Sequence, residues 1–353
     1  MLLSLAARGW CGATARGARP ALQLQPLHQL RHFSAAPTMA QIKELREQTG
    51  APIVDVKKAL VESGCDQSEA RLWLRNKGLA KAGKKAGRVT AEGLVAVASD
   101  SAAGVATRVA MVELACETDF VARNANFQEL ADQLAQALLD APDVDAGASA
   151  DELAAQLAAS EAVATQVALL SATMGENITL RRAGRLAVPE GSDGVVSWYL
   201  HGALSPSTGQ IAGAVLLSAE GGSTDAASTA LIGEYGKRLA MQMVAARPLY
   251  VSRADVPEEA VAQEKAQLMQ ESEGSGKPPE IIERMIDGKL NKWYEGIVMV
   301  DQKWMVGAPS ADNKTDKKKL DKMTVAQIIG MGSKAAKTEI SMGPEVLHFR
   351  AGD

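Results

Sequence analysis

The chain has 353 residues, of which 46% are hydrophobic but only 4% aromatic, so its cores must be built mostly from aliphatic side chains. Its 38 basic and 42 acidic residues give a formal charge of −4, which argues against a general nucleic-acid binder. Three cysteines stand far apart, at Cys11, Cys65 and Cys116, and histidines are sparse. A zinc site is therefore not indicated, and a reducing compartment fits.

Residues 1–38 predict a mitochondrial transit peptide. This stretch has four arginines and no acidic residue, and the first carboxylate of the chain is Glu44. Arginine-rich, acid-free sequence is typical of organellar targeting, and its apolar runs are too interrupted to span a bilayer. The letters "RHFS" at 31–34 resemble a mitochondrial processing site. Removing residues 1–33 would leave a distinctly acidic protein, which favours basic protein partners in the mitochondrial matrix. The alternative is a disordered extension of a cytosolic protein.

Residues 39–78 predict three short helices packed as a small module. Ile42 and Leu45 share a face of the first helix, Pro52 begins the second, and Asp66 with Glu69 begins the third. Glycine at 78 is expected to end the third helix. Such a bundle resembles a ubiquitin-associated module. The basic stretch 79–93 is predicted as a solvated helical linker, with contact to an acidic partner as the alternative.

From residue 94 the hydrophobic period changes from helical to alternating, which predicts an α+β core. A strand is expected at about 105–112, followed by a helix whose apolar face runs from Phe127 to Leu138. Ser149 and Glu152 form a capping box that starts an Ala-rich helix to about residue 172. Further strands are expected at about 177–188, 194–201 and 210–219, and a last one near the end of the chain.

The stretch 210–250 repeats the pattern of 104–143, a strand, a loop and a long helix. We therefore predict a duplicated core of antiparallel sheets with packed helices. Its halves comprise residues 94–200 and residues 201–256 with 296–353. Two charged helices with narrow apolar stripes, at 257–272 and 278–295, predict a protruding helical hairpin inserted in the second half.

The segment "ELACETDFVARN" (113–124) places Phe120 beside Asp119 at the tip of a strand-to-helix turn. Its ring is a core contact, part of a catalytic loop at Cys116, or a wedge for another protein. The second copy has Asp-Ala-Ala at 225–227, so the turn itself does not require the ring. Catalysis by Cys116 needs a nearby base, yet no motif links it to His201 or His348. A metal bound by Glu113, Glu117 and Asp119 is a further, weaker alternative.

No phosphate-binding loop, dinucleotide fingerprint or nucleophile elbow occurs in the sequence. The protein is therefore predicted not to be a nucleotide hydrolase. Two other hypotheses stay open beside the wedge: a plain binding module built on the N-terminal bundle, and an enzyme that uses Cys116.

Two segments in order, "LREQTGAPIVDVKKAL" (45–60) and "ELACETDFVARN", resemble the signatures of translation elongation factor Ts. The stretches "MGENITLRR" (174–182), "YLHGA" (199–203) and "MQMVAARPLYV" (241–251) are similar as well, and the presequence fits mitochondrial members. The resemblance implies a guanine-nucleotide exchange factor that binds GDP-bound elongation factor Tu and is not an enzyme, since it makes and breaks no covalent bond. It also implies no cofactor, no direct nucleic-acid contact and no membrane. Departures are Glu117, the letters "ARN" at 122–124 and the charged stretch 309–322.

The resemblance also implies roles for individual residues. The N-terminal module would dock on the GTPase domain of the partner, and Phe120 would insert between helices of that domain and disturb its magnesium and phosphate contacts. The second half of the core would contact a different domain. The implied partner-binding residues are Leu45, Arg46, Thr49, Gly50, Thr118, Asp119, Phe120, Val121, His201, Gly202 and Ala203.

Overall fold

The computed structural model describes residues 36–101, 106–142, 148–220, 225–272, 278–307 and 317–353. All but the last three residues of the predicted transit peptide, and most of the charged stretch 309–322, lie outside the described residues.

The N-terminal module consists of α1 (Met39–Thr49), α2 (Ile53–Glu62) and α3 (Gln67–Gly83). Thr38 and Gln41 form a capping box at the start of α1, and Asp66 accepts a hydrogen bond from the Glu69 amide at the start of α3. Gly50 ends α1 in a left-handed conformation with φ 62°. The apolar stripes of the helices meet in one small core, made of Ile42, Leu45, Val56, Ala59, Leu60, Ala70 and Leu74.

The core that follows contains two antiparallel sheets among the described residues. Its strands are β1 (Glu92–Ser99), β2 (Arg108–Cys116), β3 (Thr179–Ala187), β4 (Asp193–His201), β5 (Thr208–Gly209), β6 (Ile211–Glu220) and β7 (Glu339–Arg350). The first sheet has the order β3-β2-β1-β5 and the second has the order β4-β6-β7. The helices of the core and hairpin are α4 (Asp119–Ala122), α5 (Ala125–Asp140), α6 (Ala150–Ala159), α7 (Glu161–Met174), α8 (Ala226–Ala246), α9 (Glu258–Ser272), α10 (Pro279–Ile297), α11 (Lys317–Leu320) and α12 (Val325–Ala336).

The two sheets stack face to face, and each is covered by helices on its outer face. Along β1, Leu94 and Ala96 face the helices α5–α7, whereas Val95 and Val97 face the second sheet. The outer face of the second sheet packs on α8 and α12 around Tyr235. The core is therefore a four-layer arrangement of helices, sheet, sheet and helices, and strands buried on both faces account for their nearly continuous apolar sequence.

The predicted duplication is confirmed by the topology. In the first half the central strand β2 is followed by α5, and β3 closes the sheet beside β2. In the second half the central strand β6 is followed by α8, and β7 closes the sheet beside β6. Apart from the two-residue strand β5, which lies between β4 and β6 in the chain and joins the first sheet, the two halves share one order of strand, strand, helices and strand.

Two predicted boundaries in the core are wrong. Strand β4 was assigned to the first half (94–200), but it pairs with β6 along its whole length and belongs to the second sheet. The helix predicted from Ser149 to about residue 172 is two helices, since Ser160 has an extended backbone and serves as the end of α6 and the start of α7. The helix axes turn by 90° at this point. No single described helix is long and apolar enough to cross a membrane, and the bent pair α6–α7 passes that test only jointly.

The module is docked on the core. Most of the stretch 79–93 is exposed, as expected of a solvated linker, but its first five residues extend α3 and Lys85 contacts α7. Helix α3 does not stop at Gly78 but runs to Gly83, and Gly78 lies where α3 packs against α7. A Cβ there would come 3.2 Å from Leu169 Cδ2, so the missing side chain allows the close approach. Beyond the helix, Lys85 Nζ donates to the Ser171 carbonyl (2.9 Å).

The predicted helical hairpin corresponds to α9 and α10, which pack on each other. In the described part of the pair the buried residues are Leu268, Ser272 and Ile286. Lys289 and Glu271 join the two helices through an exposed ion pair of 2.9 Å. The apolar seam is therefore narrow, as the sequence pattern predicted.

Candidate partner-binding site

The Phe120 turn (residues 118–122) connects β2 to α5 and carries the ring singled out in the sequence. Phe120 is 82% exposed, whereas Val121 and Ala122 are buried between the first sheet and its helices. The single helical turn α4 thus anchors two residues in the core and presents the ring to solvent. The core-contact interpretation of Phe120 is therefore wrong. Asp119 is exposed beside it, and Val121 is too buried to offer a side chain to a partner.

A carboxylate from another loop holds the start of this turn. Glu176 accepts hydrogen bonds from the backbone amides of Glu117 (3.1 Å) and Thr118 (3.0 Å), and from the Thr118 hydroxyl (2.6 Å). Glu117 in return accepts the Asn177 amide (2.6 Å). Sequence reasoning assigned no role to Glu176. The available signal was its place in "MGENITLRR", where it follows the left-handed Gly175 that ends α7.

In the N-terminal module, exposed apolar and basic side chains lie together on one side. Together with the buried Ile42 they line a groove, here called the α1 groove, whose exposed members include Met39, Arg46 and Ile53. Met39 and Ile53 are exposed although both are large and apolar. Arg46 lies on the open face of the module.

The other three residues implied for this module shape it from within. Leu45 is fully buried in the module core, so its assignment as a contact residue is wrong. The Thr49 hydroxyl donates to the Leu45 carbonyl (2.6 Å), and the Gly50 amide donates to the Arg46 carbonyl (2.8 Å). Thr49 and Gly50 thus end α1 and set the angle at which α2 leaves.

The His201 loop (residues 201–207) follows β4 in the second half. His201, Gly202 and Ala203 are all exposed, and Gly202 has φ 63°, a conformation that favours glycine. The Tyr199 hydroxyl lies 3.4 Å from His201 Nδ1, and the Gln210 amide donates to the His201 carbonyl (3.0 Å). The loop is therefore a surface feature whose base is held by the strand ends.

The side chain of Gln128 connects the Phe120 turn to the second half of the core. Its Nε2 donates to the Arg123 carbonyl (3.0 Å), next to the turn, and its Oε1 accepts from the Thr208 hydroxyl (3.4 Å), next to the His201 loop. Leu204 of that loop packs against the same apolar cluster that buries Val121. The structure thus brings the turn and the loop, far apart in sequence, to one end of the core.

Cys116 cannot serve as a nucleophile in this setting. It is completely buried at the end of β2, and its thiol donates to the Thr118 carbonyl (3.2 Å). Burial, with a smaller contribution from the nearby Glu176 carboxylate, raises the pKa of Cys116 to about 12. The thiolate is therefore negligible at neutral pH, which leaves the enzyme hypothesis without a reactive group.

The acidic cluster considered for a metal does not form. Glu113 is buried and paired with Arg181 and Arg182, and Glu117 is committed to the Asn177 amide. Within the described ranges, no three His, Cys, Asp or Glu side chains are arranged to hold a metal ion.

Comparison with known proteins connects this geometry to one family. A family profile described as Elongation factor TS matches residues 117–331. Elongation factor Ts of Gluconobacter oxydans (strain 621H) is 40% identical over 310 residues, covering 88% of this chain and 96% of that protein. Elongation factor Ts of Rhodospirillum rubrum is 43% identical over 270 residues, covering 76% of this chain and 82% of that protein. The chain belongs to the elongation factor Ts family, whose members are nucleotide exchange factors for elongation factor Tu in translation elongation.

Proposed function

We propose that this protein promotes GDP release from a mitochondrial elongation factor Tu and that Phe120 is the wedge that does so. The ring enters between helices of the partner's GTPase domain and disturbs the magnesium and phosphate contacts that hold GDP. The observation that carries the proposal is the 82% exposure of Phe120 on a turn whose next two residues are buried. A ring held in this way is poised to enter a partner without refolding of the turn.

Burial of one ring is too weak to expel a tightly bound nucleotide alone. Transfer of an exposed Phe side chain into a partner contributes roughly 1.5–3 kcal/mol, which is one to two decades in affinity. The α1 groove and the His201 loop are proposed to supply the remaining binding energy at two further regions of the partner. Phe120 then acts on a partner whose GTPase domain is held by the α1 groove and whose second domain is held by the His201 loop.

The thermodynamic requirement follows from linkage. A factor that weakens GDP binding must itself bind less tightly when GDP is present, by the same ratio. The productive complex is therefore the nucleotide-free one, from which GDP has left and to which GTP can bind. Such a cycle makes and breaks no covalent bond, so the fold needs no acid, base or cofactor.

The mitochondrial setting rests on residues 1–38, with their arginines and lack of acidic residues. A fusion of these residues to a fluorescent protein tests it. We expect uptake by isolated mitochondria that depends on membrane potential, with loss of the presequence after import. A fusion in which the four arginines are replaced by glutamine is the matched control, and failure of the native fusion to enter the isolated mitochondria would contradict the proposal.

Stopped-flow release of a fluorescent GDP analogue from mitochondrial elongation factor Tu tests the wedge. For the chain lacking residues 1–33, Phe120→Ala is expected to slow catalysed release by about tenfold or more. Leu249→Ala removes another exposed apolar side chain, outside the three proposed contact regions, and should release GDP at the native rate. Equal rates for native protein and Phe120→Ala, with folding intact, would sink the wedge.

A further inference from the structure

We infer that Glu176 is a positioning residue for nucleotide exchange, whose carboxylate sets the orientation of the Phe120 turn. This inference rests on the proposed function of Phe120 and adds to it a residue on a different loop, 56 positions along the chain. We place Glu176 as a residue that acts on exchange only through the turn.

The Glu176 carboxylate accepts hydrogen bonds from both residues that precede α4, Glu117 and Thr118. One oxygen, Oε2, accepts the amides of Glu117 (3.1 Å) and Thr118 (3.0 Å), and the other, Oε1, accepts the Thr118 hydroxyl (2.6 Å). Hydrogen bonds to an ionised acceptor are shorter and stronger than neutral ones. Three of them on two consecutive residues leave the chain little freedom just before Asp119 and Phe120.

Hydrogen bonds also run in the opposite direction between the two loops, and they connect to the N-terminal module. Glu117 accepts the Asn177 amide (2.6 Å), and this bond holds the pKa of Glu117 below its usual value. The Asn177 side chain donates to the Arg88 carbonyl (2.9 Å), in the connector that follows α3. The turn with Phe120 and the connector of the module are thus fixed to the same loop, so two proposed contact regions are held in register.

The helix cap shows that Glu176 serves the turn and not merely the fold. Thr118 occupies the N-cap position of α4, where a threonine hydroxyl ordinarily accepts an amide of its own helix. Here its side chain makes no such bond and is turned toward Glu176. The next helix, α5, is capped in the ordinary way, since Asn124 accepts the Asn126 amide (2.9 Å). The external carboxylate of Glu176 therefore acts on the turn that carries the ring and not on the long helix behind it.

We expect loss of the Glu176 hydrogen bonds to affect folding less than it affects nucleotide exchange. Thr118 is exposed, so water can replace Glu176 as the acceptor for its amide and hydroxyl. Val121 and Ala122 keep α4 attached to the core. Loss of the carboxylate should thus loosen the direction of the ring while the chain stays folded.

The predicted kinetic effect separates positioning from binding. Glu176→Ala should lower the maximal rate of GDP release at saturating factor by about tenfold, since a loosened ring enters less often. The factor concentration at half-maximal rate should change little, because the α1 groove and the His201 loop are untouched. Glu176→Gln keeps one acceptor oxygen and should fall between the native protein and Glu176→Ala.

A double-mutant cycle with Phe120 tests the inference, using stopped-flow GDP release from elongation factor Tu and the chain without residues 1–33. We expect Glu176→Ala to have no further effect on release in a Phe120→Ala background. The matched control is Glu152→Gln, since Glu152 accepts the amide (2.8 Å) and hydroxyl (2.9 Å) of Ser149 at the start of α6. It should exchange at the native rate.

The outcomes distinguish the two proposals. If Phe120→Ala is slow but Glu176→Ala is native-like, or if their effects on the rate add, positioning by Glu176 is overturned and the wedge stands. If Phe120→Ala is itself native-like, the wedge fails and the inference falls with it. If Glu176→Ala does not fold, the same cycle is run with Glu176→Gln, and additive effects there overturn the inference equally.

Discussion

Arg182 and Glu113 form an ion pair with 2.6 Å between Nε and Oε2, and the Glu113 carboxylate has no exposed surface. The same carboxylate lies 3.3 Å from Arg181 Nη1 and accepts the Gly352 amide (3.1 Å). Arg182 also donates to the Arg350 carbonyl (2.9 Å), at the end of β7. One buried charge on β2 thus joins the first sheet to the end of the second and holds the two halves of the core together.

Replacing this charge should destabilise the whole core. In Glu113→Gln the two guanidinium groups lose their buried counter-charge while the shape of the side chain is kept. Removal of one partner from a buried ion pair costs about 3 kcal/mol or more. Urea unfolding followed by far-ultraviolet circular dichroism should show a single transition at lower urea concentration.

The exposed pair Lys289–Glu271 on the hairpin provides the comparison for this measurement. Its side chains are roughly half exposed, so solvent screens the interaction. Glu271→Gln should unfold at nearly the native urea concentration. Equal urea midpoints for Glu113→Gln and Glu271→Gln would show that the buried Glu113 carboxylate does not hold the two halves of the core together.

We predict that the attachment of α2 to α3 through Asp55 depends on pH. Burial alone would raise its pKa, but hydrogen bonds from Lys77 (2.8 Å) and Lys81 (2.6 Å), with the charges of both lysines, outweigh burial and hold the pKa below the ordinary 3.8. A lowered folded-state pKa contributes stability above the ordinary value, and this stability is lost as the pH falls through the folded-state pKa.

The comparison of native protein with Asp55→Asn measures that contribution. At neutral pH the native protein should be more stable by about 2 kcal/mol, the size of hydrogen bonds to a charged group. The stability difference should shrink as the pH is lowered from about 5 toward 3. Protonation of Asp55 removes the negative charge that the asparagine variant never carries. A difference that stays constant over this range would contradict the assignment.

Cys116 should be inert toward thiol reagents in the native protein. Burial raises its pKa to about 12, and the side chain has no exposed surface. Iodoacetamide at neutral pH followed by peptide mass spectrometry should label Cys65, which is partly exposed, well before Cys116. Cys116→Ala should retain native GDP release. Rapid labelling of Cys116, or loss of exchange in Cys116→Ala at normal stability, would revive a chemical role.

The sheets, the duplication and the exposure of Phe120 were predictable because each leaves a local record in the sequence. Alternation of apolar residues marks β2 and β6, and Asp-Ala-Ala at 225–227 shows what the turn needs without a ring. Leu45 was assigned to a partner by resemblance, although its spacing from Ile42 had already placed it on the buried face of α1. Pattern and resemblance disagreed there, and the pattern was right.

The grip of Glu176 and the course of α3 could not be predicted, since both depend on contacts between distant segments. From sequence alone, a glycine such as Gly78 predicts a helix end, because its packing against α7 is not visible there. Ser160 ends α6 within a run of helix-forming residues, although no proline or glycine is present. A carboxylate that bonds two amides 58 or more positions away has no periodicity. Tertiary contacts therefore decided the features that local signals left open.

Two helical glycines should respond oppositely to alanine. Gly236 in α8 faces β4, and a Cβ there would come 2.7 Å from Ser197 Cβ, inside the buried layer between helix and sheet. The strain should exceed the gain in helix propensity, so that Gly236→Ala loses about 2 kcal/mol of unfolding free energy. Gly288 in α10 has no atom within 4 Å of such a Cβ, and Gly288→Ala should gain about 0.5–1 kcal/mol. Urea unfolding of both variants beside the native protein measures the difference. A higher unfolding free energy for Gly236→Ala would mean that α8 can move away from the sheet. The close contact between Gly236 and Ser197 would then not define the fold of the second half.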